Sequence, residues 1–265
     1  MSSTTTTTTP ASIEMRALGK GYPGTTMPAV QDVDIDIHAG EVVCIVGAIG
    51  CGKSTVLRMV AGFESVSEGS LQVAGRDVVG PGPDRGVVFQ DYGLFPWLTV
   101  TENVAYGPKQ ARHPRADVRS RTDAALAAVG LTRVAASFPH QLSGGMQQRV
   151  AIARLLANRP SVMLMDEPFG ALDAMTRTEM QHELQRIHRE AGVTVLFVTH
   201  SIEEAVYLGD RVMVMAGGTA HGIPGHVRDI VTIDLGHDRD PTTPEFTAYE
   251  RQIDALVHAG NSHRV

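Results

Sequence analysis

Cysteine is almost missing from the chain: Cys44 and Cys51 are the only two among 265 residues. Two cysteines so close in sequence build neither a disulfide framework nor a metal finger. So low a count suits a reducing, cytoplasmic setting. Excess basic charge is missing too. Lys and Arg number 23 against 29 Asp and Glu, a net charge of −6. That weighs against a protein that holds nucleic acid by neutralising phosphates with a basic face. No apolar run approaches the ~18 residues that a membrane-crossing helix needs. The opening MSSTTTTTTPAS has no apolar core and no basic start, so residues 1–12 read as a disordered tail and not as a secretory signal. Internal repeats and long heptad stretches are absent. What is present is globular material: 43% hydrophobic and 20% charged residues argue against disorder.

The early part reads as strands. Apolar and acidic residues alternate in Val33-Asp34-Ile35-Asp36-Ile37, which suits a half-exposed antiparallel strand. The alternation is lost in Val42-Val43-Cys44-Ile45-Val46, bounded by Gly40 and Gly47, as in a strand buried on both faces. Similar runs are Val87 to Phe89, Val162 to Met165, Val193 to Val198 and Val212 to Met215. Helical stretches between them imply an α/β fold with a mostly parallel sheet. From Thr99 to Asn158 the signals are helical. Thr99 and Glu102 have the spacing of a capping box, as do Ser201 and Glu204. Val118, Thr122, Ala125 and Val129 share a helix face, and Gly130 offers a stop. Val231 to Leu235 alternates again and reads as a final edge strand, Asp238 to Pro244 as a linker, and Glu245 to His258 as a short helix. The expected organisation is the tail, a main domain over 13–240 with a helical insert over about 99–158, and a linker and helix within 241–265.

Gly47-Ala48-Ile49-Gly50-Cys51-Gly52-Lys53-Ser54-Thr55 fits GxxxxGK[ST], after a buried strand and before a helix, which is the context the motif requires. Its glycines let successive N–H groups of Gly47, Gly50, Cys51, Gly52 and their neighbours turn toward phosphate oxygens. The helix that follows adds its positive dipole end. Lys53 supplies a point charge, and Ser54, next to Thr55, offers a hydroxyl to Mg²⁺. Cys51, beside a helix N-terminus, is expected to favour thiolate, and its alkylation to block ATP binding. Asp166 closes a buried strand on the ligand edge of such a sheet and suits Mg²⁺, usually through water. Glu167 points elsewhere and suits the attacking water as general base. Ser143-Gly144-Gly145 stands directly before a helical pattern and makes a second anion-binding nest. One nucleotide does not need two such nests from one chain, so this one suits the nucleotide of a partner subunit.

Leu142-Ser143-Gly144-Gly145 ahead of Asp166-Glu167, with the phosphate loop upstream, resembles the ATP-binding subunit of an ABC transporter over about Ile13 to Leu235. The resemblance implies the P-loop ABC ATPase fold: a mostly parallel core, an N-terminal antiparallel β subdomain and an inserted α-helical subdomain. It assigns Gln90 as the Q-loop glutamine, catalytic and a metal ligand. Ala171-Leu172-Asp173 matches the D-loop, with Asp173 toward nucleotide. His200 matches the switch histidine, and Tyr22 the aromatic that stacks on adenine. A helix N-terminus after His200 would disfavour imidazolium, so His200 is expected to act as a neutral hydrogen-bonding group.

Phe89 to Val100, followed by Glu102-Asn103-Val104, is similar to the nitrate/sulfonate/taurine importer group; residues 167–173 and 201–205 agree with it. Leu94, Phe95 and Trp97 are expected in part to dock a partner helix and in part to pack under the insert. Two departures stand out. Ile49 replaces a small polar residue, which could alter loop packing but leaves the backbone donors in place. Residues 216–222 lack a proline-arginine turn, which bears on the solute and not on ATPase chemistry. The resemblance implies a head-to-tail homodimer with ATP and Mg²⁺ between its copies, an integral membrane permease, a separate solute-binding protein, no nucleic acid, and a place on the cytoplasmic face of the plasma membrane. Its expected work is ATP hydrolysis that drives uptake of a small anionic solute. The alternative is a soluble ABC-type ATPase not tied to transport; a regulatory module without turnover is disfavoured by Glu167 and His200.

Overall fold

A computed structural model describes residues 11–236 and 238–259. Strand β2 (Val30–His38) buries Val33, Ile35 and Ile37 and turns Asp34 outward, as its alternation requires. It pairs antiparallel with β1 (Ala11–Lys20), which pairs with β4 (Glu68–Val73), which pairs with the two-residue β5 (Arg76–Asp77). Ala11 and Ser12, read from sequence as the end of a tail, are the first residues of β1. The Ser12 carbonyl accepts the Ala74 N–H at 2.8 Å, and its hydroxyl accepts from Thr194 at 3.0 Å. The rest of that reading lies outside the described residues.

The second half of the sheet is parallel. Strands β3 (Val42–Gly47), β8 (Thr194–Val198), β7 (Val162–Asp166) and β6 (Arg85–Val88) lie side by side in that order, with β9 (Arg211–Gly218) on the other side of β3. Each central strand divides its side chains between two cores. Cys44, Phe197 and Met165 enter the core under the later helices, while Ile45, Leu196 and Leu164 enter the core shared with β1 and β2. Burial on both faces is why these strands read as unbroken apolar runs. Helix α1 (Lys53–Ala61) packs on β3, β6, β7 and β8.

The final strand departs from expectation. β10 spans Ile223–Thr232 and lies inside the sheet, antiparallel to β9 and parallel to β2 through Gly225 and Val30. It is not an edge strand, and it ends where the alternating Val231-Thr232-Ile233 stretch led the sequence reading to begin it. Its first eight residues contain Pro224 and Gly225 and carry no apolar alternation, so pattern alone missed them.

Between β6 and β7 the chain is helical: α2 (Val100–Gln110), α3 (Arg115–Ala128) and α4 (Gly144–Asn158), with 3-10 turns at Thr132–Val134 and Pro139–Gln141. The Thr99–Glu102 capping box is formed, and Gly130 follows α3 in the left-handed region. The remaining helices are α5 (Ala174–Ala191), α6 (Ile202–Leu208) and α7 (Pro244–His258); α7 packs on α6 and β9. No described helix is long and apolar enough to cross a membrane.

Candidate functional site

The carboxyl ends of β3, β8, β7 and β6 form one edge, where ligands of parallel sheets bind. Everything that the sequence singled out after a buried strand arrives there. The phosphate loop leaves β3, Thr199 and His200 leave β8, Asp166 and Glu167 leave β7, and Gln90 follows β6. Registers fix their alignment: Ile45 and Asp166 both oppose Val198, and Met165 opposes Val88.

Residues 47–53 curl because glycine permits it. Gly47 has φ +150°, and a Cβ there would lie 2.2 Å from the Met215 carbonyl oxygen. Gly52, at φ +98°, is the left-handed N-cap of α1, and a Cβ on it would strike Val30 at 2.4 Å. Lys53 is buried, and its ammonium donates to the carbonyls of Gly47 at 2.9 Å and Ala48 at 3.2 Å. The charge is thus held inside the loop it would share with phosphates. Gly50 stands beside Thr219, and Gly218 lies so close to the Gly50 carbonyl that a Cβ would come within 2.3 Å. Residues 216–222, a departure from the family pattern in sequence, therefore buttress the phosphate loop.

Two expectations for this loop are corrected. Ile49 does not alter its packing: the side chain is 83% exposed and projects into solvent. Cys51 does not favour thiolate. It is fully buried in the core shared with β1 and β2, and desolvation pushes its thiol up, against the smaller opposite pull of Lys53. Its side chain therefore faces the core, and only its backbone is available to a phosphate.

Ser54 donates from its hydroxyl to Asp166 Oδ1 at 3.0 Å. These two hard oxygen donors, one charged, fit Mg²⁺, which takes few protein ligands and completes its shell with water and phosphate oxygens. Next along the edge, Glu167 Oε1 meets His200 Nε2. Glu167 has φ +49°, in the left-handed region that costs a non-glycine residue ~1–2 kcal/mol. Its N–H donates to Val198 O at 2.9 Å and its carbonyl accepts from Gly170 at 3.1 Å, which hold the turn. The strained turn carries the carboxylate to His200. Gln90 is exposed, its amide nitrogen beside Gly170.

Tyr22 is half-buried, and the Lys20 ammonium lies 5.0 Å from its ring centroid. Lys20 is itself held by Glu64 at 3.0 Å and the Ser65 carbonyl at 2.8 Å. Ser143 caps α4, accepting the Met146 N–H at 3.3 Å, and Ser143 and Gly144 are exposed. Gly145 is buried against Thr176 of α5. Asp173 caps α5: its carboxylate accepts the Thr176 N–H at 3.0 Å and the Thr176 hydroxyl at 2.9 Å, and these bonds hold its carboxyl below the usual range. The structure thus groups Lys53, Ser54, Asp166, Glu167 and His200, with Gln90 beside the turn after Glu167. Ser143 and Gly144 lie on a different element, with Gly144 beside Leu172 and Tyr92.

Several contributors escaped the sequence reading. Asn103, fully buried in α2, bonds the Phe95 N–H at 2.9 Å and the carbonyls of Phe95 and Leu98 at 3.1 and 3.0 Å. Arg154 of α4 donates to the carbonyls of Tyr92 and Gly93 at 3.0 and 2.5 Å. Together they tie the segment after Gln90 to the helical insert. Thr199, Glu204 and Arg177 form a further group beside His200. Asn103 entered the sequence reading only within the importer-like segment, with no contact assigned to it. Along the pinned segment, Leu94 packs on the core, while Trp97 is 71% exposed and lies tilted against Phe95 with 5.7 Å between ring centroids. Leu94 thus packs against the core, as one reading of this stretch expected, and Trp97 is left exposed.

The family "ABC transporter" matches residues 30–170. The chain is 45% identical over 258 residues to the nitrate import ATP-binding protein NrtD of Synechococcus elongatus, covering 96% of this chain and 93% of that protein. It is 44% identical over 254 residues to the bicarbonate transport ATP-binding protein CmpD of Synechocystis sp., covering 94% and 89%. It is 46% identical over 237 residues to the taurine import ATP-binding protein TauB of Roseobacter denitrificans, covering 87% of each. Among solved structures, the ATP-binding cassette MJ0796, in a dimeric post-hydrolysis state with ADP and Pi, aligns with a TM-score of 0.70 and 31% identity over 84% of this chain and all of that one.

Proposed function

The chain belongs to the ABC transporter family, as an ATP-binding subunit of the nitrate/sulfonate/taurine importer type. From that premise we propose that it drives uptake of a small anionic solute through a separate permease, aided by a solute-binding protein, from the cytoplasmic face of the membrane. It binds and hydrolyses ATP. The transport-independent alternative gains no support from relatives named for import.

The observation that carries the reading is the contact between Glu167 and His200 beside the bonded pair Ser54 and Asp166. Lys53 and the loop N–H groups bind the β- and γ-phosphates, and Tyr22 takes the adenine. Ser54 and Asp166 would hold Mg²⁺, which when bound would neutralise phosphate charge. Glu167 accepts a proton from the attacking water or orients it. His200, bonded to that carboxylate, fixes the water and the γ-phosphate. Ser143 to Gly145 of a second copy cover the nucleotide from the opposite side, and Asp173 lies at that same face. Two triphosphates are fully neutralised only when the copies close, so binding favours closure and hydrolysis releases it. Gln90, on the segment that Asn103 and Arg154 pin, reports the occupied site to the insert. The exposed Trp97 and Phe95 nearby offer the permease an aromatic docking surface.

Glu167→Gln tests the assignment. ATP affinity, measured by a fluorescent nucleotide, is expected to stay within about twofold, while single-turnover hydrolysis falls by ~10²–10⁴. Normal turnover would remove Glu167 from this role.

A further inference from the structure

Ser201 and Glu204 have capping-box spacing, yet only half of the box forms. Ser201 Oγ accepts the Glu204 N–H at 3.2 Å. The Glu204 carboxylate does not return to the Ser201 N–H. That N–H donates instead to Thr199 Oγ1 at 3.0 Å, and the same hydroxyl donates to Glu204 Oε2 at 2.5 Å. One hydroxyl therefore ties the peptide after His200 to the Glu204 carboxylate. The Thr199 N–H is anchored in turn to the Ile45 carbonyl of β3, at 3.2 Å.

The second carboxylate oxygen leads elsewhere. Glu204 Oε1 lies 3.6 Å from Arg177 Nε, and Arg177 Nη2 donates to the Leu172 carbonyl at 3.1 Å. Arg177 stands in the first turn of α5, which Asp173 caps. Its Nε is buried and lacks a hydrogen-bond partner. A separation of 3.6 Å is just beyond hydrogen-bond reach, so a movement of a few tenths of an ångström would complete the bond. Thr199 and Glu204 are 3% and 6% exposed, so water does not compete for these contacts.

We propose that Glu204 is a positioning residue of the hydrolytic site: through Thr199 it fixes the loop that carries His200, and through Arg177 it links that loop to residues 171–173. Residues 171–173 stand at the face that the second copy approaches. Closure there tightens the Arg177–Glu204 contact and sets His200 against Glu167 and the γ-phosphate. The link acts on hydrolysis and not on ATP binding, because neither Thr199 nor Glu204 lies in the phosphate loop. It rests on the role given to His200 above.

The test uses the full chain in single-turnover hydrolysis, with ATP affinity measured separately. Thr199→Val is expected to slow hydrolysis at least ~10-fold with ATP affinity within about twofold, and Thr199→Ser to restore the rate. Because the hydroxyl acts through His200, Thr199→Val combined with His200→Ala should be no slower than His200→Ala alone. Glu204→Gln, close in shape and needing no new space, should reproduce the loss and serves if the valine variant does not fold. Wild-type hydrolysis in both Thr199→Val and Glu204→Gln, or fully multiplicative losses in the double variant, would overturn the proposal while leaving His200 in place. His200→Ala hydrolysing at the wild-type rate would overturn the reading beneath it.

Discussion

A thiol next to a helix N-terminus ionises easily when water reaches it. Cys51 shows what happens when the side chain turns the other way. The backbone N–H stays within the loop, donating to the Ala48 carbonyl at 3.3 Å, while the sulfur enters an apolar core, where desolvation outweighs both Lys53 and the nearby peptide dipoles. Cys44 is buried as well, and its thiol is raised still further by burial. In the folded chain at pH 8, iodoacetamide should therefore leave both cysteines unmodified, and both should label once urea unfolds it; intact mass spectrometry reads the difference. Rapid single labelling of the native chain would contradict the buried placement. Orientation also explains which site residues sequence made legible. Lys53, Ser54, Asp166, Glu167 and His200 follow strands whose apolar runs are unmistakable, so their place on one edge could be read in advance. Asn103, Arg154, Arg177 and Thr199 could not. Their partners are backbone groups or side chains brought near by tertiary packing, and nothing local announces them.

Elements were legible where one periodicity dominated. The buried parallel strands and the helices α2 and α3 follow from apolar runs, the Thr99–Glu102 capping box and the Gly130 stop. β1 was missed because Ala17, at φ +45°, and register shifts interrupt its alternation, and β10 because its first half contains Pro224 and Gly225. The C-terminal helix was visible in sequence, but its purpose was not. Thr243 caps α7, Phe246 and Ile253 are fully buried, and the helix lies on α6. Ahead of it, the Arg239 guanidinium donates through Nη1 to the carbonyls of Val206 and Gly209 at 2.6 and 2.7 Å, covering acceptors that the end of α6 leaves free. α7 and Arg239 thus clasp the short helix that begins just after His200. Truncating Phe246 to Ala removes a buried ring from this clasp and should cost ~3–5 kcal/mol in urea unfolding. A loss below about 1 kcal/mol would mean that α7 detaches from the core without consequence.

At the scale of the whole molecule, the proposed function assigns the two faces of one chain to two different nucleotides. The phosphate loop sits at the end of β3, under α1. The exposed nest at Ser143 and Gly144 opens α4, which packs on α2, α3, β6 and α5. A two-fold pair resolves this, because each face then meets its complement twice and both nucleotides are enclosed. Such a pair makes a demand that a single-chain site does not. Lys53→Ala should disable the phosphate face and Ser143→Arg the opposing nest, so either variant alone yields pairs with two spoiled sites. In a mixed pair the damage segregates. One site receives both substitutions, and the other receives Lys53 from one copy and Ser143 from its partner, both intact. Equal mixing gives half mixed pairs with one working site in two, so hydrolysis should return to about a quarter of the wild-type rate if the sites act independently. A mixture as inactive as its components would show that one intact site does not hydrolyse by itself, and Ser143→Arg hydrolysing alone at the wild-type rate would place Ser143 outside any shared site.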